Sequence, residues 1–541
     1  MPYVTSRLVK GVRYYYIYEN YREGQKIKHK LLKYLGNTNR LLQLSEGTLI
    51  NLKDLKCPTV IKYGNIVFFY KLIQKLNLIE IIDATIQKTP EAGADIGHLV
   101  VILLINRLLA PSSKLGIQEW YAKTVLPKLL NISTDQIHPQ ALCRALDYLT
   151  DDVVEKIESQ LLDHLISLYS LQLDTLFYDL TSTYFEGKHC ALAFFGYSRD
   201  HRKDRRQIVI GLVIARTTRF PLKHWVFPGN MVDWETVEQV MKQLKQEKNL
   251  PPFTIVTDRG MFQKELRLQL ALKGLSFITG VKSNEILAKN LLETVSDAEL
   301  SPFQARSGAQ FKYYLQVHEE AGVSFRALLI LSPKMREIQI QALQEKIDKA
   351  RTQLEELQEE LRGRKKKAEL LDKKMQAILK SCQTYFQTTV TQDAAGYWDL
   401  TFQVQEEELK KAHLKFGKYV LMTNVADLSP EEIIQAYLDK WEVEDAFKFL
   451  KNAIELRPLY HWKESRVKAH VFICILAYLL RTVIEHELAQ AHLPFSYLQL
   501  KSILAQIKLI QLKTKNKVEE ILTEIPPEAK KIFKTFNVEL I

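Results

Sequence analysis

"TLFYDLTSTYF", residues 175–185, reads as a strand covered on both sides, because apolar and aromatic side chains occupy both alternating faces of its first half. Asp179 stands in that run. An ionised carboxylate there is costly unless a cation or hydrogen bonds compensate it. The runs after this strand decide the fold class. "QIVIGLVIART" (207–217) and "LKHWVFPGN" (222–230) are further strand-like runs, joined by short polar or basic connections. Then come a helix, "DWETVEQVMKQLKQ" (233–246), a strand, "FTIVTDRG" (253–260), a helix, "KELRLQLAL" (264–272), and a strand, "FITGVK" (277–282). Three strands, helix, strand, helix, strand predicts an α/β core with a mixed five-stranded sheet at 173–283.

Upstream, residues 1–58 carry basic, β-rich runs, "RYYYIYENY" and "KIKHKLLKYLG", with a turn at "REGQ". From 59 to 172 the period is helical, and Ser112 or Ser113 is placed to cap the helix in "APSSKLGIQEWYAK". Downstream, 284–430 reads as an insertion domain. Ile340, Leu343, Ile347, Ala350, Leu354, Leu357 and Leu361 alternate spacings of three and four, a heptad seam. "RGRKKK" (362–367) breaks the seam, which predicts a helical hairpin rather than one long intermolecular coil. Strand-like "KYYLQVHEE" and "YWDLTFQVQ" flank it. Residues 456–541 read as helical again.

With 541 residues, length alone suggests roughly three to four domains. Net charge is +12 and the pI about 9.1. That balance suits a polyanionic partner, although a merely basic protein would show it too. The five cysteines (57, 143, 190, 382, 474) are scattered and never form C-x-x-C. This points to a reducing compartment, hence a cytoplasmic location, and away from a disulfide framework or zinc knuckle. The start of the chain lacks the apolar core of a signal peptide. "LVVILLINRLLA" and "VFICILAYLL" are too short to span a bilayer, so no membrane association is expected. No G-x-x-x-x-G-K-[ST] occurs, so no nucleotide cofactor is expected. "HELAQAH" sets His486 and His492 six apart and fails the zincin pattern.

Two further acids stand out. Asp258 ends the apolar run "FTIVTD", at a strand end where open α/β sheets usually bind ligands. Glu444 lies in "AYLDKWEVEDAFKFLKN" (436–452), whose faces separate at helical period. Ala436, Val443, Ala446, Phe447 and Leu450 make one apolar stripe. Tyr437, Lys440, Trp441, Glu444, Lys448 and Lys451 make the other face, a lone acid among cations and rings. Singly, these acids read as turn, cap or surface ion-pair residues. Asp233 reads more simply as a helix N-cap than as a metal ligand. "GYSRDHRKDRR" gathers Arg199, His201, Arg202, Lys203, Arg205 and Arg206 between the first two strands, which favours a phosphate-binding loop over a solvated turn.

With these residues in hand the chain resembles the DDE transposases of bacterial insertion sequences, whose catalytic core is similar to RNase H. It is most similar to the branch with an insertion before the glutamate and a helix signature of Tyr, two residues, Arg, three residues, Glu, six residues, Lys. Tyr437, Lys440, Glu444 and Lys451 match that spacing, with lysine in place of the arginine. "YSRDHRKDRRQIVIGLVIA", "VFPGN", "VTDRGMF" and "LRPLYHWKESRVKAHVFICILAYLL" also resemble family blocks. Asp179 is assigned by its place in the strand order.

The resemblance implies an RNase H-like core (173–283 and 431–455) in which Asp179, Asp258 and Glu444 are catalytic and hold two divalent ions, Mg or Mn. It implies an endonuclease that cleaves the ends of its element and joins them to target DNA. The partners would be double-stranded DNA, both ends and target, and a second protomer on that DNA; the location would be the bacterial nucleoid. Tyr437, Lys440, Lys448 and Lys451 would hold phosphates. Trp441 would either stack on an unpaired base or pack against the strands. Lysine at 440 is a point charge without the fork of arginine. End recognition is expected in the helical DNA-binding region 59–172 with the basic strands before it, and phosphate binding at the "RGRKKK" tip. The alternatives are an RNase H-like nuclease that does not join strands, and a repurposed DNA-binding protein.

Overall fold

The computed structural model describes residues 2–23, 26–37, 59–86, 95–186, 189–247, 250–361, 368–394, 396–513 and 518–540. They form two compact units, Met1–Phe68 with Ala122–Val125 and Leu498–Ile541, and Phe69–Tyr121 with Leu126–Tyr497.

In the smaller unit, β1 (Pro2–Val9), β2 (Val12–Glu23) and β3 (Lys26–Asn37) make an antiparallel sheet. Tyr14, Tyr16, Tyr18 and Tyr34 cluster on it, at ring-centroid separations of 5.2–6.3 Å. A second small sheet departs from the helical reading of 456–541. In "KLIQLK", β16 (Lys508–Lys513) pairs with β17 (Val518–Leu522) and with β4 (Thr59–Lys62). The run is too short to show its period, and its second partner lies at the far end of the chain.

The larger unit is built on β5 (Thr175–Tyr184), β6 (Gln207–Ala215), β7 (Pro221–Pro228), β8 (Thr254–Thr257) and β9 (Ser276–Val281). β5, β6 and β7 form an antiparallel meander, while β8 lies parallel to β5 and β9 parallel to β8. All of β6 is buried, as its unbroken apolar run requires. The sheet does not stop at five strands. β15 (Lys418–Thr423) pairs with β9 and continues through β12 (Val323–Leu331) and β11 (Gln310–Glu320) to β10 (Ser301–Gln304). Nine strands result, in the order β10-β11-β12-β15-β9-β8-β5-β6-β7. Part of the expected insertion domain is therefore an extension of the sheet, and it pairs the edge that β9 would otherwise expose.

The rest of the insertion does form a helical pair, Pro333–Leu361 and Ala368–Leu379. Leu343, Ile347, Ala350, Leu354, Leu357 and Leu361 bury the heptad seam with Leu371, Leu379, Phe386 and Leu400. The last two come from the hairpin of β13 (Phe386–Gln392) and β14 (Trp398–Val404). The seam is thus closed within the chain. Its "RGRKKK" tip lies outside the described residues.

Helix Glu464–Gln490 packs against Ile96–Leu109, Pro139–Tyr148 and Asp151–Tyr169 and against β7. Residues expected in separate flanking domains thereby share one core with the sheet. Among the described residues this is the one unbroken helix long and apolar enough to span a bilayer, and 89% of its apolar window is buried in the protein. It runs on past Arg481, whose guanidinium is met by Asp445 and Glu485 and lies over the Phe449 ring. Ser113 Oγ accepts the Gly116 N–H and caps Lys114–Ala122, as expected.

Candidate active site

Strand register brings the first two acids together. Phe177 on β5 pairs with Val256 on parallel β8, so continuing the register sets Asp179 level with Asp258. Asp258 stands one residue past β8, at the sheet end where side chains are free to project. Asp179 lies in mid-strand, because β5 goes on pairing with β6 as far as Tyr184.

Glu444 arrives on a helix with a break before it. The stretch read as one helix is two, Pro430–Leu438 and Trp441–Asn452. The first opens with a capping box of Ser429 and Glu432. At the junction the Lys440 N–H reaches the Tyr437 carbonyl and the Val443 N–H the Lys440 carbonyl, a tighter i to i+3 spacing. Arg216, just after β6, holds the joint by donating from Nε and Nη2 to Asp439 Oδ2 at 2.9 and 2.7 Å.

The joint turns Lys440 inward. Its side chain is 7% exposed, and Nζ lies 3.5 Å from Glu444 Oε1 and 3.8 Å from Asp258 Oδ1. Tyr437 donates its hydroxyl to Asp258 Oδ1 at 3.3 Å, and the Arg259 N–H donates to the same oxygen at 2.7 Å. Gly280 makes room for this, since a Cβ there would stand 2.9 Å from the Tyr437 hydroxyl. Burial pushes the Asp179 carboxyl up to about 6; Lys440 is the strongest opposing influence, followed by the Leu180 N–H bonded to Oδ1 at 2.8 Å. Burial, then the charge of Asp258, raises the Tyr437 phenol, which keeps it a hydrogen-bond donor.

The donor set, three carboxylates, suits a hard divalent cation. The ligand oxygens do not yet converge. Among the described residues the one His/Cys/Asp/Glu group with ligand atoms within 4.8 Å of one another is Asp83, Asp95 and His98. There Asp83 Oδ1 accepts the Gly97 N–H at the start of helix Ile96–Leu109, a structural use. In the Asp179–Asp258–Glu444 group an ammonium stands among the acids, and a metal ion would have to displace it.

The remaining expected site residues divide. Trp441 is 55% exposed, so it is not packed against the strands. Lys448, His201, Lys203 and Arg206 are exposed as well. Arg206 also lies over the Phe195 ring, and Arg199, Arg202, Arg205 and Lys451 meet carboxylates. Arg199 donates to both oxygens of Asp233 at 2.8 Å, Arg202 pairs with Asp204, and Arg205 pairs with Glu186 at 3.0 Å. Asp233 is therefore the first residue of its helix and an arginine acceptor rather than the N-cap, which is Val232. Lys451 donates to Asp200 at 2.7 Å, and Arg457 donates to the same oxygen at 2.6 Å. Asp200, Arg216, Asp439 and Arg457 do not stand out in the sequence. Asp200 and Asp439 carry a weak signal, as acids set against basic neighbours; the two arginines carry none.

The profile of the family described as "Transposase DDE domain" matches residues 173–480, more than half of the chain. No curated protein matches the sequence significantly. Among solved structures, a cryo-EM structure of a piggyBac transposase synaptic complex with hairpin DNA is 11% identical, with a TM-score of 0.40. The match covers 83% of this chain and 81% of that one, and it is too distant for any feature of that complex to be carried over.

Proposed function

The chain belongs to the transposase DDE domain family, and on that premise we propose that it cleaves the ends of an insertion sequence and joins them to target DNA. The observation that carries this reading is the approach of Asp258 and Glu444 to one buried cation, beside a strand register that sets Asp179 level with Asp258. The strand order β7-β6-β5-β8-β9, with β6 alone of the first three neighbours running against both sides, supports an RNase H-like core.

In this reading Asp179, Asp258 and Glu444 hold two divalent ions, Mg or Mn. Bound there, such ions would activate the attacking oxygen and stabilise the leaving one. Lys440 neutralises the acids until the ions enter and then is free to meet a phosphate. Tyr437 orients the Asp258 carboxylate. Trp441 presents an exposed ring for an unpaired base, and Lys448 an exposed ammonium for the backbone. The basic loop carrying Arg199, His201, Arg202, Lys203, Arg205 and Arg206 follows the DNA through its exposed members, with Lys451 held in reserve on Asp200. Two protomers are brought together on the DNA, because joining two ends to one target takes two active sites.

A nuclease without joining would share these acids. Incubating the protein with end DNA and a supercoiled plasmid in Mg separates the two: end-to-plasmid joints support a transposase, and cleavage without joints supports the nuclease.

A further inference from the structure

A cavity of about 350 Å³ elsewhere in the larger unit is lined by basic residues from three parts of the chain. Arg107 comes from helix Ile96–Leu109, Lys114 opens helix Lys114–Ala122, and Arg457, His461 and His470 come from the 456–480 block. We propose that this cavity binds a phosphate group.

Among the described residues no carboxylate forms an ion pair with Arg107 or Lys114; the Arg107 guanidinium reaches only the Ile454 carbonyl, at 3.4 Å. Glu455 is the one acid lining the cavity, and it is exposed. Nearby Asp147 is taken by Arg466 at 2.6 and 2.8 Å. His461 and His470 face each other at 5.6 Å between ring centroids, and His470 is 6% exposed. Burial, then Arg107, pushes the Lys114 ammonium down to about 8. Burial, then Lys114, Arg466 and Arg107, pushes the His461 imidazole down to about 4. Arg107 and Lys114, both only partly exposed, share this space without a carboxylate partner among the described residues, and an anion relieves both at once while the two neutral imidazoles offer it hydrogen-bonding groups. The dipole of helix Lys114–Ala122 adds positive potential at the same place.

Arg457 ties the cavity to the basic loop, since the guanidinium that lines it also holds Asp200 together with Lys451. A backbone phosphate of DNA is therefore one source of the group, which rests on the function proposed above; free inorganic phosphate is the other.

The test titrates the full chain, without metal, with inorganic phosphate in a calorimeter at constant ionic strength. Saturable binding is expected, weakened about tenfold by Lys114→Gln through loss of a charge-assisted bond. Glu455→Gln, which removes the cavity's one acid, should tighten it about threefold. No saturable binding, or a folded Lys114→Gln that binds like the wild type, overturns the proposal. Should Lys114→Gln not fold, Glu455→Gln decides, and unchanged affinity overturns it. A generic duplex then assigns the source. Competition with phosphate, and a salt slope shallower by about one in Lys114→Gln, assigns it to the DNA backbone. Phosphate binding without either effect assigns it to the free ion. No arm uses metal or cleavage, so failure of the transposase reading leaves the phosphate result standing.

Discussion

The Lys440 ammonium lies 3.5 Å from Glu444 Oε1, with the lysine 7% exposed and the glutamate 54%. A cation is thus taken out of water to serve acids that remain in it. Lys440→Gln should destabilise the metal-free protein by about 1 kcal/mol at pH 8, because two of the acids it serves are more than half exposed and only Asp179 is left buried. At pH 5 the loss should shrink, because Asp179, held at about 6, is then largely protonated. Lys440→Arg should restore most of the stability. Urea unfolding in chelator at both pH values checks this; an equal loss at both would separate Lys440 from Asp179.

Asp179 should itself be a burden without metal. Its folded value of about 6 lies above the ordinary 3.8, so folding favours the protonated form. That contribution is fully present below about 3.8 and is lost as pH rises through about 6. Asp179→Asn should therefore raise Tm relative to wild type at pH 8 in chelator, with the gap closing towards pH 4.5 as wild-type Asp179 becomes protonated. A variant less stable than wild type at pH 8 would mean that the carboxylate is well compensated after all.

Asp200, 3% exposed, takes Lys451 and Arg457 on one oxygen. Asp200→Ala leaves Lys451 and Arg457 without a carboxylate, Arg457 keeping only Asn452 Oδ1 at 3.3 Å, and should cost about 3 kcal/mol. Lys451→Met should cost less, since Arg457 still meets Asp200. Equal costs in urea unfolding would show that Lys451 carries the pair.

Trp441 offers the opposite case. At 55% exposure, Trp441→Ala should change stability by no more than about 0.5 kcal/mol. If the ring stacks on an unpaired base, binding of DNA with a single-stranded tail should weaken by about 1–3 kcal/mol. Fluorescence anisotropy with tailed and blunt duplexes reads it; equal losses on both would leave no stacking role.

Legibility tracked the range of the interactions. β5, β6 and β8 announce themselves through local runs of buried side chains, and Asp258 through the strand that it ends. The heptad seam is equally local, and Leu354 and Leu357 are buried where their spacing placed them. Pairing across distance left no such trace. Nothing in "KYVLMT" says that β15 will join β9, and nothing in "KLIQLK" names Thr59–Lys62 as its partner. The helical period also carries the reading of 436–452 straight through Asp439, where Arg216 holds a break. Spacing puts Tyr437, Lys440 and Glu444 on one face; only the break shows that Lys440 points at the acids.

That Asp179, Asp258 and Glu444 act as metal ligands in DNA cleavage is the central claim. The measurement is the Mg-dependent rate of end-DNA cleavage by wild type, Asp179→Asn, Asp258→Asn and Glu444→Gln, with folding and end binding checked in parallel. Each variant should bind ends and fold yet cleave only at background, because each loses a charged ligand at nearly constant shape. Cleavage at the wild-type rate by any one of them would contradict the account and remove that residue from the site.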